Sequence, residues 1–187
     1  CDGAEFPDRP LTYGNDESQP TQGVHQFGDD GICTVCGRMK QSEDGYYLIA
    51  DARQLNWLVE RIEQGETDPK VRLTADIDLR TSDYPNLMIG STSARFAGIF
   101  DGGGKSLKNL TISEPLFTVN TGTVKNVVIA STTGISFGTS GNKAILVGNN
   151  QGTVSGCVNN ASVNMTENFT AASSTGLLVA VSSGVVK

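Results

Sequence analysis

The sequence predicts an all-β fold, a right-handed parallel β-helix (a solenoid) closed at its N-terminal end by one helix. Three observations carry this expectation. Leu116-Phe117-x-x-Asn120-x-Gly122 returns as Leu146-Val147-x-x-Asn150-x-Gly152 and again as Leu178-Val179-x-x-Ser182-x-Gly184. Ser106-Leu107-Lys108-Asn109-Leu110-Thr111-Ile112 returns as Thr123-Val124-Lys125-Asn126-Val127-Val128-Ile129, then as Thr153-Val154-Ser155-Gly156-Cys157-Val158-Asn159. Long helix formers nearly vanish after residue 70, while Asn, Thr, Ser and Val dominate, and Gly accounts for 22 of the 187 residues. Apolar residues at one spacing, with Gly and Asn at fixed offsets, describe a small strand-and-turn unit stacked on copies of itself. A β-sandwich would explain the alternation, but not why the same residue types return in the same order.

Residues 1–23 contain Pro7, Pro10 and Pro20, several acidic groups and few large apolar side chains. Such a segment buries too little surface to offset its ordering entropy, so a disordered tether is expected. Residues 24–45 hold a small Cys/His loop module, and residues 46–187 the repeat domain. Within that domain Tyr46-Tyr47-Leu48-Ile49-Ala50 reads as a short strand. Asp51 is placed to cap a helix near 52–64, because Leu55, Leu58, Val59 and Ile62 fall on one helical face and Gly65 supplies the stop. Trp57 lies off that stripe, either packed on the first coil or exposed. A helix here would cover the apolar end and free backbone edge that an open stack of strands exposes.

From Val71 the period becomes two. Val71, Leu73, Ala75, Ile77 and Leu79 alternate with Arg72, Thr74, Asp76 and Asp78, which reads as one half-buried strand. Leu87 to Ile89 and Phe96 to Phe100 continue in short strands. Asp101-Gly102-Gly103-Gly104 is a turn requiring positive φ. Stacking like on like gives inward ladders of Leu107, Val124 and Val154, and of Leu110, Val127 and Cys157. Asn120 and Asn150 are then expected in left-handed turn positions. Cys157 at a ladder position acts as a small apolar residue. The last unit stops at Val185-Val186-Lys187 without a polar cap, so the natural chain is expected to continue, leaving this piece truncated at its C-terminal end.

Leu146-Val147-Gly148-Asn149-Asn150-Gln151-Gly152-Thr153-Val154-Ser155-Gly156-Cys157 resembles a GLUG-motif repeat of bacterial cell-surface β-helix proteins. Leu73 to Leu79 followed by Phe96 to Gly104 resembles the opening coils common in such proteins. The likeness covers residues 46–187; it speaks to fold and location, and the family name denotes a repeat and not a reaction. The first residue, Cys1, followed by Asp2-Gly3-Ala4-Glu5, resembles a bacterial lipoprotein after signal-peptide removal, with acidic residues like those behind the anchor of Bacteroidetes surface lipoproteins. That resemblance implies lipidation at Cys1 and a cell-surface position on the outer membrane, anchored without spanning it.

The sharpest chemical constellation is His25, Cys33 and Cys36. Cys33-x-x-Cys36-Gly37 brings two thiolates onto one turn, and the imidazole would be a third ligand for a structural zinc ion. The segment resembles a His…Gly-x-Cys-x-x-Cys-Gly module of some bacterial surface proteins, where a further Cys commonly stands two residues before the His. Here that position is Gly23. A Cys33–Cys36 disulfide in an oxidising compartment explains the pair equally well, and unpaired or redox-active thiols are the remaining reading. Asp76 and Asp78 project to one face of a strand, and with Asp83 or Asp101 are weak calcium candidates. Tyr84, Trp57 and Tyr47 are the first aromatic residues to test for sugar stacking, against core packing of each.

A net charge of −6 without a Lys/Arg cluster argues against a nucleic-acid partner, which requires a basic face. Gly102-Gly103-Gly104 is not read as a phosphate loop, since the Lys-Ser that follows it opens no helix, and the sole His is outside the repeats. The expectation is therefore a non-catalytic surface lipoprotein. It would be adhesin-like or an accessory binding subunit, within a larger outer-membrane uptake assembly in one version, and would bind a glycan, a peptide or a protein partner. The alternative is a carbohydrate-active β-helix lyase or hydrolase using Asp carboxylates and calcium.

Overall fold

The computed structural model describes residues 25–35, 37–80, 83–84, 87–135, 142–161, 174 and 176–187. The expected tether at 1–23, Cys1 within it, and Cys36 lie outside these residues. In chain order the elements are β1 (Tyr47–Ile49), α1 (Ala52–Glu63), β2 (Lys70–Leu73), β3 (Ile77–Asp78), β4 (Ile99–Asp101), β5 (Ser106–Lys108), β6 (Leu110–Ile112) and β7 (Phe117–Asn120). There follow β8 (Thr123–Lys125), β9 (Val128–Ile129), β10 (Thr132–Ile135), β11 (Val147–Asn150), β12 (Thr153–Ser155), β13 (Val158–Asn159), β14 (Val179–Ser182) and β15 (Val185–Val186). The fold is all-β with one helix, and every pairing between these strands is parallel.

Apart from β1 and β2, which are joined through α1, strands consecutive in sequence do not pair; strands from successive repeats do. A six-stranded sheet runs β1-β2-β4-β8-β12-β15, a four-stranded sheet β13-β9-β5-β3, a three-stranded sheet β14-β11-β7, and β10 pairs with β6. Phe117, Val147 and Val179 are in register, as are Asn120, Asn150 and Ser182. The repeat of Leu-aromatic/Val-x-x-Asn/Ser-x-Gly therefore superposes residue on residue.

The core is one cluster running through all of these sheets. Phe96, Phe100 and Phe117 are fully buried, and Phe117 meets each of the other two edge-to-face with centroids 5.2 Å apart. Such aromatic pairs add about 0.5–1.5 kcal/mol beyond the area they bury. Leu55, Leu58 and Ile62 of α1 join the same cluster at 0% exposure. The helix begins where Asp51 accepts the backbone N–H of Gln54 and ends before Gly65, whose φ of 102° suits glycine.

At one corner the chain admits only glycine. A Cβ on Gly122, Gly152 or Gly184 would strike the carbonyl of Gly98, Gly122 or Gly152 respectively, each the equivalent glycine one repeat earlier. Those same carbonyls accept the N–H of Thr123, Thr153 and Val185, each at 2.8 Å. Beside this column Asn120 and Asn150 are wholly buried. Asn120 Nδ2 donates to Asn150 Oδ1 at 2.7 Å, and Asn150 Nδ2 donates to Ser182 Oγ at 3.0 Å. Asn120 Oδ1 accepts the N–H of Gly122 at 3.1 Å. The amides thus join successive repeats while holding the turn that follows them.

Four expectations are corrected. The left-handed asparagines are Asn109 and Asn126, at φ 57° and 54°, while Asn120 and Asn150 lie in strands. The stretch from Val71 to Leu79 is two strands in different sheets, since the chain turns between Leu73 and Ile77 while keeping its inward-outward alternation. The Leu107 ladder is mis-registered. Val124 lies between Phe100 and Val154, whereas Leu107 lies between Ile77 and Ile129, and Leu110 pairs with Thr132. Segments 106–112 and 123–129 look alike because each crosses a corner with the same alternation, yet they begin in different sheets. Finally, Leu87 to Ile89 and Phe96 to Phe100 are reduced to bridges at Ile89 and Phe96 plus β4.

Candidate functional site

The Cys/His segment folds back onto α1. Antiparallel bridges join Phe27 to Cys33, Ile32 to Met39 and Gln41 to Tyr47. Gly37, at φ 69°, closes a turn by donating its N–H to the Cys33 carbonyl at 2.8 Å. The Gly37 carbonyl in turn accepts Trp57 Nε1 at 2.7 Å. Gln54 reinforces the junction: its Nε2 donates to the Asp30 carbonyl at 2.6 Å, and its Oε1 accepts the N–H of Ala50 at 2.6 Å. Arg53 pairs with Asp30. Cys33 is 1% exposed, and the His25 ring stacks on Phe27 at 5.4 Å. Because Cys36 lies outside the described residues, the zinc and disulfide readings stand as they did. Among the described residues no group of three His, Cys, Asp or Glu side chains is placed to hold a metal ion.

Trp57 and Tyr47 belong to the core. Each is 8% exposed, and the rings meet edge-to-face at 4.9 Å. Trp57 donates to Gly37, and the Tyr47 hydroxyl donates to Glu66 Oε1 at 2.8 Å. Burial, and then the Glu66 carboxylate, push the Tyr47 phenol up to about 12. Neither ring has a face available for a sugar, which corrects the stacking expectation for both. Tyr84 is half-buried and packs against the core. Cys157 also packs against it, and burial raises its thiol pKa.

The three acidic candidates occupy outward positions, and each is already engaged. Asp76 accepts Lys108 Nζ and the N–H of Ser106, both at 2.9 Å, and these bonds hold its carboxyl well below the usual range. Asp78 accepts Asn109 Nδ2 at 2.6 Å and the N–H of Arg80 at 3.0 Å, with the same effect. At Asp101 burial opposes ionisation, but the N–H of Gly103, Asn126 Nδ2 and Lys125 outweigh it and the pKa is lowered. Carboxylates held this way remain ionised acceptors at neutral pH and are poor proton donors.

What the sequence reading missed is a row on the outside of the six-stranded sheet. Arg72, Asp101, Lys125 and Ser155 stand in register on β2, β4, β8 and β12. Adjacent parallel strands are about 4.8 Å apart, so the row presents alternating charges and a hydroxyl at that interval. At its β2 end the Arg72 guanidinium lies 4.1 Å from the Tyr46 ring centroid and 3.4 Å from Asp44. Beside it, Ile99, Thr123 and Thr153 form a second outward row. The signal was present in Val71-Arg72-Leu73 and Thr123-Val124-Lys125, where polar and buried residues alternate, but only the register lines them up. No helix among the described residues is long and apolar enough to cross a membrane. No family model, curated protein or solved structure matches the chain.

Proposed function

We propose that this chain is a right-handed parallel β-helix of the GLUG-motif kind that serves as a non-catalytic binding scaffold. The outward face of the six-stranded sheet takes an extended glycan or peptide. The observation that carries the reading is the register of Arg72, Asp101, Lys125 and Ser155, which repeats polar groups along a sheet as an extended ligand repeats its own. The alternative, a calcium-dependent carbohydrate enzyme built on Asp76, Asp78 and Asp101, draws no support from carboxylates already bonded to Lys108, Asn109 and Lys125. In this reading Cys1 carries the lipid, residues 1–23 are the tether, and the protein stands on the outer cell surface, alone or as a subunit of an uptake assembly.

The ligand claim is tested by screening the purified chain on glycan and peptide arrays, then repeating the screen with Arg72→Ala/Lys125→Ala. Retained binding to an extended ligand that falls at least ~10-fold in the double variant, about 1.4 kcal/mol, supports the face. Equal binding by both proteins places the ligand elsewhere. Membrane attachment is a separate matter: incorporation of a labelled fatty acid that disappears in Cys1→Ser supports the anchor, and incorporation unchanged by that substitution refutes it.

A further inference from the structure

We draw no further inference here: the strongest candidate, the outer edge of β14 and β15 with Leu177, Val181, Val185 and Val186 exposed, carries nothing because nothing in the structure shows what covers it.

Discussion

Two pairs of asparagines do opposite work in this fold. Asn120 and Asn150 are extended, buried and bonded to each other across repeats. Asn109 and Asn126 are left-handed and sit at corners, where their Nδ2 groups donate to Asp78 and Asp101 at 2.6 and 3.1 Å. The first pair resists slippage, because displacing one repeat relative to the next would leave buried amides without partners. The second pair lets the chain turn and ties each corner to an outward carboxylate of the strand before it, and Gly156 turns the chain in the same left-handed way one repeat after Asn126, at φ 59°. Residue type alone therefore does not reveal which job an asparagine has; the neighbouring glycine does. Asn120 and Asn150 each precede, by two residues, a glycine that tolerates no Cβ.

The contrast can be broken most severely at the glycine. Gly152→Ala would drive a methyl group into the backbone of the preceding repeat, which cannot yield as a flexible side chain would. A loss of about 3 kcal/mol or more in urea unfolding is expected, the upper end of ordinary overpacking costs. Asn150→Ala comes next. It removes the acceptor of Asn120 Nδ2 and the donor to Ser182, so a loss of about 2–3 kcal/mol is expected in the same measurement. The corner gives a smaller response with a diagnostic pattern: Asn126→Ala should cost about 1–2 kcal/mol, because alanine keeps a Cβ at a left-handed φ but loses the amide that offsets it, whereas Asn126→Gly loses the same amide but relieves the strain and should cost less. If Asn150→Gly were equally mild, the two kinds of asparagine would not differ as described.

The smallest effect is electrostatic. Asp76 and Asp78 have folded pKa values below their unfolded ones, so their contribution is complete above the unfolded value of about 3.9 and fades as pH falls through it toward the folded pKa. Both groups are exposed and solvent screens them, so the acid-side decline in thermal midpoint should shrink only slightly in Asp76→Asn. A stability gain on acidification would contradict the sign.

The parallel all-β character was legible because the repeat with Asn and Gly encodes its own register: Phe117, Val147 and Val179 align just as their sequence offsets do. The helix was legible from its apolar stripe and the Asp51 cap. The turn after Asp101 was legible from its glycines, with Gly103 and Gly104 at positive φ, but the corner at Thr74 to Asp76 was not, since the chain keeps alternating inward and outward there and looks like one strand. The Leu107 error has the same origin, as β5 and β8 share a pattern but belong to different sheets. Trp57 escaped the stripe argument because its cover comes from Tyr47 and from the loop ending at Gly37, contacts distant in sequence. The outward charge row was invisible for the same reason: its members are neighbours only after the repeats are stacked.

Stacking in that register is the claim on which the proposed binding face depends, and nuclear Overhauser contacts in the isotopically labelled chain test it most directly. Val124 should show contacts to Phe100 and Val154, and the Asn120 side-chain amide to Asn150, without the short Hα–Hα contacts of antiparallel neighbours. Strong Hα–Hα contacts between consecutive strands, with Val124 remote from Val154, would replace the stacked repeats with hairpins and remove the face.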